Sequence, residues 1–233
     1  MIKRSFCNQK IQHVREIEMK ELLEKYPVSA QAKAHTYIDS ATYGKMYQQS
    51  IEQPEVFWGE QAEKFLDWYK PWDKVMDVDL ASADIKWFSG GKLNVSYNCI
   101  DRHLPTKAND VAIIFEGDEP TDDLKVTYQE LHDHVCRFAN LLKARGVKKG
   151  DRVCIYMPMI PEVGYAMLAC ARIGAIHSVI FGGFSTESIK ARVQDADAHV
   201  IITADESVRG GRVIPLKSNV DAAIEGNDAV HTV

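Results

Sequence analysis

RVCIYM (residues 152–157), HSVIFGGFS (177–185) and HVIITADESVRGGRVIPLK (199–217) decide the fold of this chain. Each opens on a short apolar, β-branched run of strand length and then meets turn chemistry. Helical segments lie between them: Pro161 opens one rich in small residues (Gly164, Ala166, Ala169, Ala171) that ends near Gly174, and Thr186–Ala196 forms the next. Strand and helix alternating with short links predict an α/β domain on a largely parallel sheet with right-handed crossovers. In such a sheet the loops at the carboxyl ends of strands line the ligand crevice. Two loops there carry glycine pairs, Phe181-Gly182-Gly183-Phe184-Ser185 and Ala204 through Arg212. The glycines suit backbone that comes close to something, and Arg209 and Arg212 flank the second pair. The pattern points to a nucleotide-like or phosphate-bearing ligand.

Working outward, Pro215 opens a helix that finishes at Gly226, and Ala229–Val233 resembles the approach to a further strand. A parallel sheet needs both faces covered and few bare edges, so the sequence reads as the front of a longer chain. On the amino-terminal side, Val111–Glu116 is a strand, Gly117–Asp123 a turn and Leu124–Thr127 a hairpin partner. Thr127-Tyr128-Gln129-Glu130 matches a capping box. The helix behind it buries Leu131, Val135, Phe138 and Leu142 and stops at Gly146.

Further upstream the spacing is helical. Ile11–Leu23 supports a marginal helix. Tyr43, Met46, Tyr47 and Ile51 outline the apolar face of a second, with Ser40 and Thr42 as cap candidates. Pro54 begins a third, which carries Phe57, Trp58, Ala62, Phe65 and Leu66 and ends at Pro71. All four tryptophans (Trp58, Trp68, Trp72, Trp87) fall in this region, which predicts a helical layer anchored by aromatic rings or, in the sharper alternative, a cap over a ligand. Gly90-Gly91-Lys92 reads as a plain turn, since no strand is marked before it. Asn94 caps a short helix through Leu104, ended by Pro105.

The bulk numbers exclude several classes. The chain has 233 residues, 45% hydrophobic and 26% charged, with a formal net charge of −5. That length suits one large domain or two small ones, and the charge carries no footprint for nucleic acid or an anionic membrane. Cys7, Cys99, Cys136, Cys154 and Cys170 are odd in number and scattered, and Cys154 and Cys170 sit in apolar runs, so buried thiols in a reducing compartment are expected. Residues 8–10 (Asn, Gln, Lys) stand where an export signal needs an apolar segment. The apolar window from Cys154 to Phe184 is broken by Pro158, Pro161, Glu162, Arg172 and His177, so it divides into strand, helix and strand instead of spanning a bilayer. A cytoplasmic protein is expected, with no membrane partner.

Arg209-Gly210-Gly211-Arg212 is the sharpest local signal. Arginine meets phosphate oxygens with a rigid fork, and its plane stacks on an adenine ring. The bland alternative is a solvated loop. Around Gly182-Gly183 the alternative is a tight turn, with Ser185 or Thr186 capping the next helix; that helix amino terminus would also favour an anion. His132 and Cys136 are one helical turn apart, but two ligands do not make a structural zinc site. No G-x-S-x-G, H-E-x-x-H or phosphate loop occurs, and no catalytic residue is assigned.

Together these segments resemble the AMP-forming acetyl-CoA synthetases of the adenylate-forming superfamily. WFSGGKLNVSYNCIDRH (Trp87–His103) is similar to that family's amino-terminal signature, YMPMIPEVGYAMLACARIGAIHSVIFGGFS (Tyr156–Ser185) to its first βαβ region, and ITADESVRGGRVIPLK (Ile202–Lys217) to its CoA-nucleotide loop. The resemblance runs from about Tyr43 to the end. It implies a helical amino-terminal extension over residues 1–108, then the first, truncated part of the large AMP-binding α/β domain over residues 109–233. It implies a two-step ligase using acetate, ATP with Mg²⁺, and CoA. Arg209, Gly210, Gly211 and Arg212 would meet the CoA 3′-phosphate and adenine, with Phe181, Gly182 and Gly183 alongside. The family's phosphate loop ending in Pro-Lys-Gly and its later adenine, ribose and acetate segments are not in this sequence. The other readings are a propionyl-CoA synthetase, a CoA- or nucleotide-binding module without catalysis, and an interaction fragment whose loops are idle.

Overall fold

The computed structural model describes residues 27–119 and 121–233; the marginal helix expected at Ile11–Leu23, and Cys7, lie outside them. The described residues divide into two units, with the boundary between Trp58 and Gly59. In the first, Ser29 caps α1 (Ala30–His35). The cap of α2 (Ser40–Glu52) is Asp39, one residue ahead of the expected serine: its carboxylate accepts from the Thr42 N–H at 2.7 Å. A carboxylate there also meets the positive end of the helix dipole. α2 buries none of its residues, and Tyr43 and Tyr47 of its apolar face stack on each other at 6.2 Å. α3 (Pro54–Phe65) starts at the expected proline, and its later turns belong to the second unit.

α3 stops at Phe65, short of Pro71, because the next residues are claimed elsewhere. Asn98 takes both backbone groups of Asp67 (2.8 and 3.0 Å), and the Trp68 indole N–H donates to the Ala62 carbonyl at 3.1 Å. The segment that follows corrects the expectation of a wholly helical layer. β1 (Lys74–Asp79) and β2 (Asp84–Ser89) form an antiparallel hairpin. Asp79 orders its turn by accepting from the Ala81 N–H and the Ser82 hydroxyl at 2.9 and 2.8 Å. Trp72 packs edge to face against Trp68 and Phe88 beside it, and Trp68 meets Phe88 at a tilt, with ring centroids 4.9–5.5 Å apart. A strand therefore does precede Gly90, yet the glycine pair is still a turn: Gly90 has φ +80°, the Gly91 N–H bonds the Phe88 carbonyl at 3.0 Å, and Lys92 pairs with Lys70.

The segment from Asn94 to Arg102 fastens this hairpin region to the α/β body. Asn94 caps α4 (Val95–Cys99) with its side-chain oxygen and, with its amide N–H groups, reaches the Ala171 and Arg172 carbonyls at 3.0 and 3.1 Å. One side chain thus closes the start of one helix and the end of another. Asp101, in a 3₁₀ turn (Asp101–His103), holds Arg172 through two bonds of 2.6 and 3.2 Å, both side chains about four-fifths buried. Arg102 donates to the Phe65 carbonyl and to Asn98. Pro105 does not end this run; it sits in the first turn of α5 (Leu104–Lys107), where its missing N–H costs nothing.

From there the expected order holds as far as β7 and resumes at the last helix, with an unexpected hairpin between them. β3 (Val111–Glu116) and β4 (Asp123–Thr127) pair antiparallel, and both bonds of the Thr127–Glu130 capping box open α6 (Tyr128–Ala144). Ala139, not Phe138, completes its buried stripe with Leu131, Val135 and Leu142; Phe138 is partly buried. β5 (Arg152–Met157), α7 (Pro161–Ile173), β6 (Ile176–Phe181), α8 (Thr186–Asp195) and β7 (Val200–Thr203) follow. The three strands are parallel in the order β6-β5-β7. After the β8 (Ser207–Arg209) and β9 (Arg212–Ile214) hairpin comes α9 (Leu216–Ile224), and Thr232 then pairs parallel with Val200, extending the sheet beside β7.

β5 is the centre of the core. Val153 packs with Val135 of α6 and Ala169 and Cys170 of α7, whereas Cys154 and Tyr156 pack with Ile189 and Val193 of α8 and Leu216 and Val220 of α9. Helices therefore cover both faces of the parallel sheet.

Burial raises the Cys154 and Cys170 thiols to about 11 from an ordinary 9.0. The protonated form is the one the fold favours, so this contribution is intact below about pH 9 and is lost as pH rises through about 11. We expect iodoacetamide at pH 8 to alkylate the exposed Cys99 and the partly exposed Cys136 in the native chain, and Cys154 and Cys170 only after unfolding. Mass mapping of the alkylated peptides checks this; equal labelling of Cys154 and Cys99 would contradict it.

Candidate functional site

In the order β6-β5-β7 the chain goes first to one side of β5 and then to the other. The loops after β6 and β7 thus leave the sheet on opposite sides of the central strand, the arrangement in which α/β sheets open a crevice. Both expected glycine loops are at this edge.

The loop after β6 is a tight turn, with the Phe184 N–H bonded to the Phe181 carbonyl at 3.0 Å. Gly182 lies against the loop after β5: a Cβ there would come within 3.0 Å of the Met157 carbonyl oxygen. This glycine does permit a close backbone approach, to the protein's own chain. Ser185 caps α8, as expected, accepting from the Ser188 N–H. The Glu187 carboxyl is held below its usual range by its own backbone N–H and the Ser185 hydroxyl. The positive end of α8 is thus already met by a carboxylate, which leaves it less suited to the ligand anion that the sequence suggested.

The second loop is a hairpin that the sequence reading did not mark. β8 and β9 pair Ser207 with Ile214, Val208 with Val213 and Arg209 with Arg212, and Gly210-Gly211 forms the two-residue turn. Both glycines have positive φ (+55° and +72°), as a mirror-image hairpin turn requires, and a Cβ on either would point into open space. Here the glycines serve the turn geometry rather than a close approach. The consequence for charge is direct: two arginines stand opposite each other across the ladder, an arrangement that is unfavourable without an anion to share.

The two loops meet. The Arg209 guanidinium lies over the Phe181 ring at 5.6 Å, and Gly183 is close enough that a Cβ there would be 3.9 Å from Arg209 Nη1. Phe184 packs edge-on against Phe181 at 5.8 Å, and Arg192 of α8 covers the Phe184 ring at 4.6 Å. Phe181 remains half exposed. Of the expected residues, Phe181, Gly183 and Arg209 are brought together, Gly182 sets the turn beneath them, and Arg212 faces Arg209 from β9. The result is an aromatic surface edged by guanidinium groups, chemistry that suits a flat base carrying phosphate.

Two residues at this surface were missed. Tyr156, wholly buried on β5, donates its hydroxyl proton to the Phe184 carbonyl at 3.0 Å. Arg192 is two helical turns beyond Phe184. The hairpin itself was signalled by Ser-Val-Arg and Arg-Val-Ile flanking Gly-Gly. His132 Nε2 lies 3.5 Å from Cys136 Sγ, and Asp133 accepts from the other ring nitrogen at 3.2 Å. Among the described residues no group of three His, Cys, Asp or Glu side chains could hold a metal ion. No helix among them is long and apolar enough to cross a membrane.

Comparison with known proteins agrees with this architecture. Residues 100–232 match the model of the AMP-binding enzyme family, and residues 43–99 match that of the acetyl-coenzyme A synthetase N-terminus. The chain belongs to the AMP-binding enzyme family. It is 60% identical over 208 residues to an acetyl-coenzyme A synthetase of Saccharophagus degradans, covering 89% of this chain and 32% of that protein. It is 56% identical over 208 residues to acetyl-coenzyme A synthetase 2 of Pseudomonas aeruginosa, with the same coverage. Against an acetyl-coenzyme A synthetase of Vibrio cholerae the identity is 59% over 201 residues, covering 85% of this chain and 31% of that protein. The chain spans about a third of the length of these relatives.

The hairpin turn yields a test. Forcing a β-branched residue into the left-handed region costs about 1–2 kcal/mol, so Gly211→Val should open β8–β9 and speed tryptic cleavage after Arg209 and Arg212. Gly211→Asn, which tolerates that conformation, should remain protected. Cleavage of the valine variant at the wild-type rate would contradict the turn assignment.

Proposed function

We propose that this chain is the amino-terminal part of an acetate–CoA ligase. The reaction joins acetate to ATP as acetyl-adenylate with release of pyrophosphate, and the CoA thiol then displaces AMP to give acetyl-CoA. Residues 1–108 are the amino-terminal extension and residues 109–233 the first part of the AMP-binding domain. Within this span Arg209, Gly210, Gly211 and Arg212, with Phe181, Gly182 and Gly183, form part of the site for the CoA nucleotide. The observation that carries this reading is the Arg209 guanidinium over the exposed Phe181 ring, which joins the two glycine loops at the carboxyl edge of the sheet. The names of the relatives support the choice of acyl group; a propionyl-CoA synthetase is the runner-up, because the acyl pocket is not formed by the residues assigned here.

The division of labour follows from the chemistry. Arginine remains charged at neutral pH and carries no proton in catalysis, so Arg209 and Arg212 bind and orient. The hairpin offers two fixed guanidinium groups to an anion, and Phe181 offers its ring to the base. Mg²⁺ would neutralise ATP phosphates in the first step. Following the resemblance to the acetyl-CoA synthetases, we assign its site to the part of the relatives that this chain does not span. A cytoplasmic location fits this substrate set.

Two outcomes are expected. Arg209→Ala should weaken CoA binding about tenfold, since a charge-assisted hydrogen bond contributes about 1.5–3 kcal/mol and an exposed loop sits near the lower end. Arg209→Lys should recover only part, because the fork and the stacking plane are lost. In the protein extended to the length of its relatives, Arg209→Ala should raise the KM for CoA and leave acetate-dependent ATP–pyrophosphate exchange unchanged; equal loss in both assays would make the hairpin a folding element. The second outcome concerns the 233 residues alone, which carry no Pro-Lys-Gly phosphate loop. They should bind CoA yet show no exchange above blank, and measurable exchange would contradict the assignment.

A further inference from the structure

The loop that carries Phe181 is held from two sides by residues outside the glycine motifs. From beneath, the Tyr156 hydroxyl rises out of the core and donates to the Phe184 carbonyl at 3.0 Å, with the Gly182 carbonyl next at 3.4 Å. The ring below it is wholly buried among residues of α8 and α9, so the hydroxyl position is fixed by packing. Tyr156 is tied to the other loop as well: its backbone carbonyl accepts from the Thr203 hydroxyl at 2.8 Å, at the last residue of β7. From the outer side, the Arg192 guanidinium covers the Phe184 ring at 4.6 Å and is itself anchored to the Ser188 carbonyl at 3.2 Å. Phe184 in turn packs edge-on against Phe181, over which Arg209 lies.

We propose that Tyr156 and Arg192 are positioning residues for the CoA nucleotide: together they fix the Phe184 turn, and through it the angle at which Phe181 and Arg209 meet the base and phosphate. This inference rests on the CoA reading above. Neither residue touches the ligand surface in the way Phe181 and Arg209 do. Tyr156 acts through a backbone carbonyl and Arg192 through a neighbouring ring. Without the hydroxyl, the Phe184 carbonyl loses its buried donor, and the Phe184 N–H···O=C Phe181 turn is free to open. A buried donor of this kind, or a cation over a ring, is worth a factor of about 3–10 in the population of one conformation. Binding that needs that conformation weakens by up to the same factor, reached when the open turn predominates.

The test uses the full 233-residue chain with CoA as the probe, titrated calorimetrically into wild type, Y156F, R192A, R192K and R209A. Hydrogen exchange is followed in parallel at residues 181–186 and in β5 and β7. Y156F removes one oxygen and keeps the packing, so unchanged exchange in β5 and β7 reports an intact fold. We expect Y156F and R192A each to weaken CoA about 3- to 10-fold, R192K to restore most of the loss, and exchange of the Phe184 amide to rise in Y156F alone of the sites compared. If Y156F and R192A bind CoA like wild type while R209A is weakened, or if the Phe184 amide is as protected as before, the positioning role is overturned and the CoA reading stands. If exchange rises throughout the sheet, Tyr156 is a stability residue only, and the proposal fails. If wild type does not bind CoA, or R209A binds it unchanged, the reading beneath the proposal fails first.

Discussion

The burial of β5 on both faces is the constraint on which the rest of the structure depends. Val153, Cys154, Ile155 and Tyr156 are all inaccessible to solvent, and only a central parallel strand with helices above and below meets that requirement. Placing β5 there sends β6 to one side and β7 to the other, and so opens the edge at which their loops can receive a ligand. The same strand carries Tyr156 next to its last residue, with the ring in the core and the hydroxyl on the loop. Core packing is thereby passed directly into the geometry of the candidate site.

A second constraint lies at the far end of α7. Asn94 closes its last carbonyls, and Asp101 holds Arg172 in its final turn. Removing one member of such a pair leaves the other partly buried without its partner, which costs more than the pair contributes when intact. The Trp87–His103 segment is thus mainly a fastening. Most of its polar residues serve helix ends, the Asp67 backbone and the ion pairs of Asp101 with Arg172 and of Arg102 with Asp67, whereas the buried Ser96 hydroxyl has no hydrogen-bond partner among the described residues.

The α/β half was legible because its signals are local and mutually consistent. Pro161, Gly174, the Thr127–Glu130 box and the β-branched runs each mark a boundary, and together they admit one order of elements. The β1–β2 hairpin was not legible, since Lys74–Asp79 is short, alternates with charged residues and is surrounded by tryptophans that suggested a helical layer. At the site, residue type pointed to Arg209, Phe181 and the glycines, but not to what each glycine does. Gly182 allows two backbone segments to approach; Gly210 and Gly211 allow a left-handed turn. The sequence pattern of two adjacent glycines is the same in both. Tyr156 and Arg192 were out of reach for a different reason: their partners are 28 and 8 residues away, and only the fold brings them together.

The central claim is that the paired arginines of the β8–β9 hairpin hold the phosphate-bearing nucleotide of CoA. The most direct measurement is a thermodynamic cycle that compares CoA with dephospho-CoA on wild type and on Arg209→Ala, and again on Arg212→Ala. If either arginine grips the 3′-phosphate, removing the phosphate and removing that side chain are alternative ways of losing one interaction, and the two losses should be strongly non-additive. Full additivity for both arginines would place the phosphate elsewhere and contradict the account.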